Sequence, residues 1–243
     1  MYGTRLRALS IATLITLAGG FALAAFYAPE DADQGFMQKI LYLHVPLAIV
    51  ALCGFIFAGV CAIQHLRTED SRWDLRSYVA IHISLILGAA VLITGSIWAR
   101  ASWGHWWVWD EPTLVSFLIV FLLYATYQPL RFSIEDRDKQ SRYASVFAIT
   151  AGAFVPLNFL AVRMAQSYTH PRVFATANGG LEPHMKVAFY TCLLGMALLY
   201  VTLWKYEMSA KNARAQLKAL RRRLGGEAAA APRRSASPTL ESA

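Results

Sequence analysis

Long apolar runs separated by short polar stretches dominate the chain. Six runs are close to the roughly 20 residues that an α-helix needs to cross the hydrocarbon of a membrane. The six predicted spans cover about residues 8–28, 41–63, 79–98, 113–130, 144–162 and 185–204. The connections between them are about 10–20 residues long, which leaves no room for a separate soluble domain. The pattern predicts an all-α integral membrane protein, built as a six-transmembrane-helix bundle.

The composition agrees with a membrane location. Of the 243 residues, 56% are hydrophobic and only 16% are charged, whereas soluble domains have roughly 25% charged residues. The three cysteines, Cys53, Cys61 and Cys192, all fall inside predicted spans and form no C-x-x-C or C-x-x-C-H motif. The sequence therefore lacks a zinc-finger, thioredoxin-like or c-type haem attachment signature.

The distribution of positive charge predicts the orientation of the bundle. If the N-terminus is cytoplasmic, 18 of the 23 lysines and arginines lie on the cytoplasmic side. The positive-inside rule then places both termini in the cytoplasm, as an even number of spans requires. We expect residues 1–204 to form the membrane domain and residues 205–243 to form a basic tail. The formal charge of +8 thus indicates contact with membrane lipids and no binding to nucleic acid.

The tail itself changes composition along its length. It begins with a helical pattern that ends at Arg221-Arg222-Arg223, and residues 225–243 are rich in Ala, Pro, Ser and Gly. Such a composition cannot bury enough apolar surface to order the chain. We predict a partly disordered cytoplasmic tail.

Tryptophan is concentrated between the third and fourth spans. Residues 103–110 read Trp-Gly-His-Trp-Trp-Val-Trp-Asp and hold four of the seven tryptophans, with Trp98 just before them. The predicted orientation puts this loop, residues 98–112, on the outer side of the membrane. A plain aromatic belt at the membrane interface is one explanation. Because a belt spreads its indoles over several helices, we favour a platform for a flat conjugated ligand.

Four of the six histidines fall on the same outer side as the tryptophans. His44 is in the first turn of the second span, His105 is in the tryptophan loop, and His170 and His184 are in the connection before the sixth span. Two neutral imidazoles can ligate haem iron from opposite sides of the porphyrin. The other two are His65, expected to be solvated in an inner loop, and His82, expected to be structural.

Other residues on the outer side are candidates for polar contacts with a porphyrin or with the residues that hold it. Carboxylates on its edge can pair with cations, and the candidates are Arg100, Arg163, Arg172 and Lys186. Asp110 is a candidate to fix an indole N–H or a histidine tautomer.

Two segments resemble a known family. The pattern Trp103-Gly104-x-x-Trp107-x-Trp109-Asp110 resembles the WWD signature of haem-handling membrane proteins. The segment 41–48, Leu-Tyr-Leu-His-Val-Pro-Leu-Ala, is similar to the first-histidine motif of the CcmC family of cytochrome c maturation. The resemblance covers about residues 36–204. It departs at Glu111, where many relatives carry a basic residue.

The resemblance implies a function and a set of site residues. CcmC-like proteins sit in the bacterial inner membrane, bind haem b on the periplasmic side and deliver it to the haem chaperone CcmE in cytochrome c biogenesis. CcmA, CcmB and CcmD complete their complex. Carried over, the iron ligands are His44 and His170, with His184 as the alternative to His170. The implied haem-binding residues of the loop are Trp103, Gly104, Trp106, Trp107, Trp109 and Asp110.

The expected chemistry is ligation and release of haem, without enzymatic turnover. Two alternatives remain open at this point. One is a haem lyase or synthetase that attaches haem to apocytochrome c, although such relatives are larger or carry an extra outer domain. The other is a transporter of another flat small molecule, although the spans carry little charge at mid-depth, where transporters bind their substrates.

Overall fold

The computed structural model describes residues 2–32, 34–165, 170 and 181–230 and is built from α-helices. The described part of the chain contains no β-strand, apart from an isolated bridge between Asp31 and Gly35. The elements in order are α1 (Tyr2–Ala22), a π-helical turn (Leu23–Tyr27), a 3-10 turn (Phe36–Ile40), α2 (Leu41–Thr68), α3 (Ser71–Trp103), α4 (Pro112–Ala125), α5 (Tyr127–Phe132), α6 (Arg137–Met164) and α7 (Pro183–Ala230).

Six helical segments of the described chain are long and apolar enough to cross a membrane, which confirms the predicted number. Their bounds are Thr4–Tyr27, Phe36–Thr68, Ser71–Trp103, Pro112–Phe132, Arg137–Leu160 and Pro183–Leu224. Several extend beyond the apolar runs because charged and polar residues continue the helix past the hydrocarbon. The protein is a multi-pass membrane protein.

Local signals explain where α2 and α3 begin and end. α2 stops at Glu69, which adopts a left-handed conformation with φ of 55°. Asp70 then caps α3, since its carboxylate accepts a hydrogen bond from the backbone N–H of Arg72 at 2.9 Å, the usual role of an N-cap aspartate. At the other end, Gly104 terminates α3 with φ of 77°, a conformation that glycine adopts without steric cost.

The end of α3 corrects one predicted boundary. The tryptophan loop was expected over residues 98–112, but α3 continues as far as Trp103. Trp98 and Trp103 therefore stand on a helix, and the irregular part of the loop runs from Gly104 to the residue before Pro112. This matters for the site because a helix fixes a side chain more firmly than a loop does.

A lysine closes the end of the first span. The chain leaves α1 through the π-helical turn, whose carbonyls no longer have regular helical partners. The Nζ of Lys39 donates hydrogen bonds to the carbonyls of Ala24, Ala25 and Ala28, at 3.0, 3.1 and 2.9 Å. A cation at the C-terminal end of a helix is also favoured by the helix dipole. Lys39 thereby ties the start of α2 to the end of α1.

α2 is the central helix and packs against α3, α6 and α7. Its glycines allow close approach. A Cβ on Gly59 would lie 3.2 Å from the carbonyl oxygen of Ala148 and 3.4 Å from the Cα of Gly152 on α6. Small residues at such crossings let two helix backbones touch, which favours packing where lipid removes much of the hydrophobic drive.

The end of the bundle that carries the α2–α3 and α5–α6 connections contradicts one expectation and contains a nearly buried ion pair. His65, expected to be solvated, is only 6% exposed, and its Nδ1 lies 2.8 Å from the Oγ of Ser145. Arg131 makes a two-pronged ion pair with Asp74, with distances of 2.7 and 2.6 Å between guanidinium nitrogens and carboxylate oxygens. These two side chains are 11% and 13% exposed. The connection is thus partly structural.

The last helix reaches further than the predicted sixth span. α7 runs unbroken from Pro183 to Ala230, so the first part of the tail is helical, as expected. Residues 225–230 were expected to be disordered and are helical instead. The rest of the predicted disorder, residues 231–243, lies outside the described residues.

Candidate functional site: a histidine and tryptophan cluster

The start of α2, the end of α3 and the start of α4 meet at one end of the bundle, here called the histidine end. Because α2 and α3 are antiparallel neighbours, His44 in the first turn of α2 lies beside Thr94 and Gly95 near the end of α3. Trp98 follows one turn later on the same helix. The topology thus brings the first predicted ligand to the tryptophans.

The imidazole of His44 is held closely by α3. Its Nδ1 lies 3.0 Å from the Oγ1 of Thr94. On the side of Gly95 it lies so near the backbone that a Cβ there would be 2.8 Å from the ring carbon Cε1. Nothing in the sequence motif around His44 points to Thr94, which sequence reasoning missed. The only available signal was a hydroxyl within an apolar span, since such groups usually find a buried partner.

His170 lies in the same cluster, although its neighbours in the chain are outside the described residues. Its ring is 6.0 Å from that of Trp98 and 6.4 Å from that of Trp103, both edge-on. The two indoles also contact each other, with centroids 4.8 Å apart. His44 contacts Thr94 on α3, and His170 contacts Trp98 one turn further along the same helix. The two predicted iron ligands therefore converge.

A buried acid joins the tryptophan loop to His170. Glu111 is 1% exposed, and its Oε2 accepts a hydrogen bond from the backbone N–H of His170 at 3.4 Å. A buried carboxylate is costly unless it is hydrogen-bonded or paired. The residue that departs from the family pattern thus contacts the backbone of His170, which its sequence position alone did not reveal.

The loop tryptophans differ in their surroundings. Trp107 and Trp109 contact each other, with centroids 5.9 Å apart. Trp109 and Trp106 are 73% and 60% exposed. The Nε1 of Trp107 is buried and has no hydrogen-bond partner among the described residues. A buried donor without a partner is uncommon, and it would suit an anionic oxygen of a ligand. Gly104 ends α3, as described above.

The remaining candidates are dispersed. Asp110 is exposed and makes no hydrogen bond to an indole or imidazole of the described residues; the side chain that contacts Nδ1 of His44 is Thr94. His105 is exposed. Arg100 donates to the carbonyl of Gly104, and the guanidinium of Arg163 lies 5.7 Å from the ring centre of Phe159.

His184 stands apart from the two ligand candidates. At the start of α7 its ring contacts Tyr27 edge-on, with centroids 4.9 Å apart. It has no ring contact with a tryptophan among the described residues. Lys186 is exposed nearby on α7, and Arg172 lies outside the described residues.

The donor set fits a flat metal complex with two open axial positions. Imidazole nitrogens are common ligands of haem iron. The edges of Trp98 and Trp103 add apolar surface beside them, and the free N–H of Trp107 adds a donor. The described chain offers no group of three or more His, Cys, Asp or Glu side chains for a bare metal ion. Two imidazoles beside an indole surface suit a ligand that brings its own equatorial donors.

Comparisons with known proteins agree with this arrangement. The model of the family described as "Heme exporter protein C" matches residues 1–223. The protein of that name from Rhodobacter capsulatus is 30% identical over 216 residues, covering 87% of this chain and 88% of its own. The Paracoccus denitrificans protein is 30% identical over 201 residues, with 80% and 81% covered. The Escherichia coli K12 protein is 28% identical over 195 residues, with 80% and 78% covered.

Proposed function

The chain belongs to the Heme exporter protein C family, and we propose that it binds haem at its histidine end and hands it to a haem chaperone during cytochrome c maturation. The observation that carries the proposal is that His170 lies against Trp98 and Trp103, one helical turn along α3 from Thr94 and Gly95, which contact His44. Haem handling is the role that the names of the relatives state for those proteins. Haem b, without covalent attachment, is the form we propose as cargo.

The proposed chemistry is ligation followed by release. His44 and His170 take the two axial positions, and the indoles of the loop cover the macrocycle and limit access of water. The buried N–H of Trp107 hydrogen-bonds a propionate oxygen. Release requires that one axial ligand be exchanged for a donor of the receiving protein. No bond of the porphyrin is made or broken, so we propose that the protein is not an enzyme.

The partners and orientation follow from the family. We propose CcmE as the haem acceptor, with CcmA, CcmB and CcmD in the same complex. The histidine end then faces the periplasm, and both termini face the cytoplasm of a bacterial inner membrane. The charge distribution supports this orientation, because most lysines and arginines lie toward the opposite end.

Absorption spectra of the purified protein, oxidised and reduced and with added haem, test the proposal. We expect the spectrum of a low-spin haem with two histidine ligands in the wild type and its loss in His44→Ala and His170→Ala. His184→Ala is the matched control, since His184 lies at the same end but contacts Tyr27. Loss in His184→Ala and retention in His170→Ala would move the second ligand. Absence of haem binding in the wild type would refute the proposal.

Transfer is tested separately from binding. Haem-loaded protein is mixed with haem-free CcmE, and the haem on each is followed by its absorption after separation. We expect Trp107→Phe to keep haem, because the two histidine ligands remain. We expect it to load CcmE less well than the wild type, because the propionate loses the hydrogen bond that orients the macrocycle toward the acceptor. Equal loading by this variant and the wild type would remove Trp107 from the proposed handover.

A further inference from the structure

We propose that Thr94 and Gly95 form a seat that fixes the tautomer and direction of the His44 imidazole, so that Nε2 is the atom presented to haem iron. The proposal rests on the proposed haem function and adds two positioning residues to it. Both are on α3, whereas His44 is on α2. The seat is thus built across the interface between the two helices.

The hydrogen bonds of Thr94 define which ring nitrogen carries the proton. A threonine hydroxyl has one proton to donate and lone pairs to accept with. Its Oγ1 lies 2.8 Å from the carbonyl oxygen of Ala90 and 3.2 Å from that of Val91, one turn earlier on α3. Carbonyl oxygens only accept, so the hydroxyl donates its proton there. The contact of 3.0 Å with His44 then needs a proton on Nδ1.

The remaining ring nitrogen follows from this assignment. In a neutral imidazole, one nitrogen carries the proton and the other keeps its lone pair for a metal. With Nδ1–H donated to Thr94, the lone pair is on Nε2. A hydrogen bond to the nitrogen that does not bind the metal is the usual way in which proteins orient a histidine ligand. Thr94 supplies that bond to His44.

Gly95 removes the space into which the ring would otherwise tilt. A Cβ at position 95 would stand 2.8 Å from Cε1, 3.5 Å from Nδ1 and 3.6 Å from Nε2 of His44. The ring therefore packs against the helix backbone itself, and only glycine permits this approach. Thr94 and Gly95 are adjacent in the chain, so one turn of α3 supplies both the hydrogen bond to Nδ1 and the backbone surface against which the ring packs.

The tautomer is testable in haem-free protein. The protein is labelled with ¹⁵N-histidine in detergent, and two-bond ¹⁵N–¹H correlation spectra distinguish Nδ1–H from Nε2–H. The signals of His44 are assigned by their absence in His44→Ala. We expect the Nδ1–H form in the wild type and in Thr94→Ser, which keeps a hydroxyl. Thr94→Val, of similar shape, should weaken this preference, because it removes the hydroxyl but leaves the backbone carbonyl of Val91 beside the ring. An Nε2–H form in the wild type would overturn the proposal.

Haem titration measures the consequence of the seat. We expect Thr94→Val to bind haem about tenfold more weakly, the lower end of the effect of losing such a supporting partner, with Thr94→Ser close to the wild type. Gly95→Ala should lose the low-spin two-histidine spectrum or broaden it. Gly19→Ala is its control, since nothing lies within 4 Å of a Cβ at position 19. Equal affinities of Thr94→Val and Thr94→Ser would overturn the role of the hydroxyl.

The outcomes separate this inference from the proposed function. If His44→Ala binds haem as the wild type does, His44 is not a ligand and the proposed function fails with it. If His44→Ala loses haem but Thr94→Val and Gly95→Ala behave as the wild type does in titration, spectrum and tautomer, only the seat is refuted.

Discussion

Replacing Gly54 by alanine should destabilise the protein, because this glycine faces the most crowded point between α2, α3 and α7. A Cβ there would lie 2.2 Å from Oγ of Ser84, 2.5 Å from Oη of Tyr200 and 2.6 Å from Cε2 of the same ring. Tyr200 cannot swing away freely, since its hydroxyl donates to the carbonyl of Ala80 at 3.1 Å and lies 3.2 Å from Ser84. One of these groups must move, and the hydrogen bonds move with it.

The magnitude follows from three contributions. Alanine gains about 1 kcal/mol over glycine in helix propensity. Overpacking of a well-filled core costs about 1–3 kcal/mol, and each disturbed buried hydrogen bond costs about 1 kcal/mol. With both hydrogen bonds of Tyr200 disturbed, the net loss is about 2–4 kcal/mol. At about 2–4 °C per kcal/mol for a chain of this size, the melting temperature falls by about 4 °C at the least and about 16 °C at the most.

Thermal unfolding in detergent, followed with a thiol-reactive dye, measures this loss. The thiols of Cys61 and Cys192 are buried, whereas Cys53 is exposed, so a Cys53→Ser background gives a signal that reports unfolding. Gly19→Ala is the matched control and should melt no lower than the background protein. Adding Ser84→Ala to Gly54→Ala removes the closest contact and should recover part of the loss. Equal melting temperatures for Gly54→Ala and Gly19→Ala would refute the packing argument.

Two further substitutions probe the polar contacts. Glu111→Ala removes the carboxylate that accepts a hydrogen bond from the backbone N–H of His170 and should weaken haem binding about fivefold, the equivalent of about 1 kcal/mol. Glu111→Gln keeps an acceptor oxygen and should lose less affinity. An unchanged haem titration in Glu111→Ala would show that this contact does not support His170. Asp74→Asn leaves the nearly buried Arg131 without its carboxylate and should cost about 2 kcal/mol or more in thermal unfolding. The exposed Glu69 serves as its control, since Glu69→Gln should cost less than about 1 kcal/mol. Equal losses of stability in Asp74→Asn and Glu69→Gln would contradict the argument that burial makes the Arg131–Asp74 pair the more important one.

The helices were predictable because a membrane allows few solutions. A span must satisfy its backbone hydrogen bonds internally, so the apolar runs were sufficient to count six helices. The ends were less predictable. Hydropathy falls at Trp98, yet α3 continues to Trp103 because Gly104 provides the terminating conformation. α7 likewise continues past the predicted sixth span into the basic tail, where the charge of the residues does not indicate the point at which the helix ends.

Errors in the sequence prediction concern polar residues with partners far along the chain. His65 looked solvated because charged residues surround it in sequence, but Ser145 on another helix gives it a buried partner. The ion pair of Arg131 and Asp74 likewise joins residues that are far apart in the chain. A hydropathy pattern contains no information about such pairs.

The sequence was sufficient to predict which segments of the chain meet at the candidate site. Topology alone placed His44, His170 and the tryptophans on one side of the bundle, and the structure brings them together. Their supporting contacts were not predictable. Thr94 lies 3.0 Å from the ring of His44 and Glu111 lies 3.4 Å from the backbone nitrogen of His170, and nothing in the sequence identifies either contact.

The length of α7 limits how far the membrane can act on the basic tail. From Trp204 to Leu224 the helix rises about 30 Å, at about 1.5 Å per residue, and every described side chain from residue 212 to 224 is exposed. The field of an anionic lipid surface decays over about 8 Å at physiological salt. If α7 is perpendicular to the membrane plane, Lys205 lies within reach of that field. Residues 221–223, three arginines, then lie about three screening lengths further from the lipid surface than Lys205 does. Those three arginines then form a separate positive pole in water, able to attract an acidic solute that never touches the bilayer.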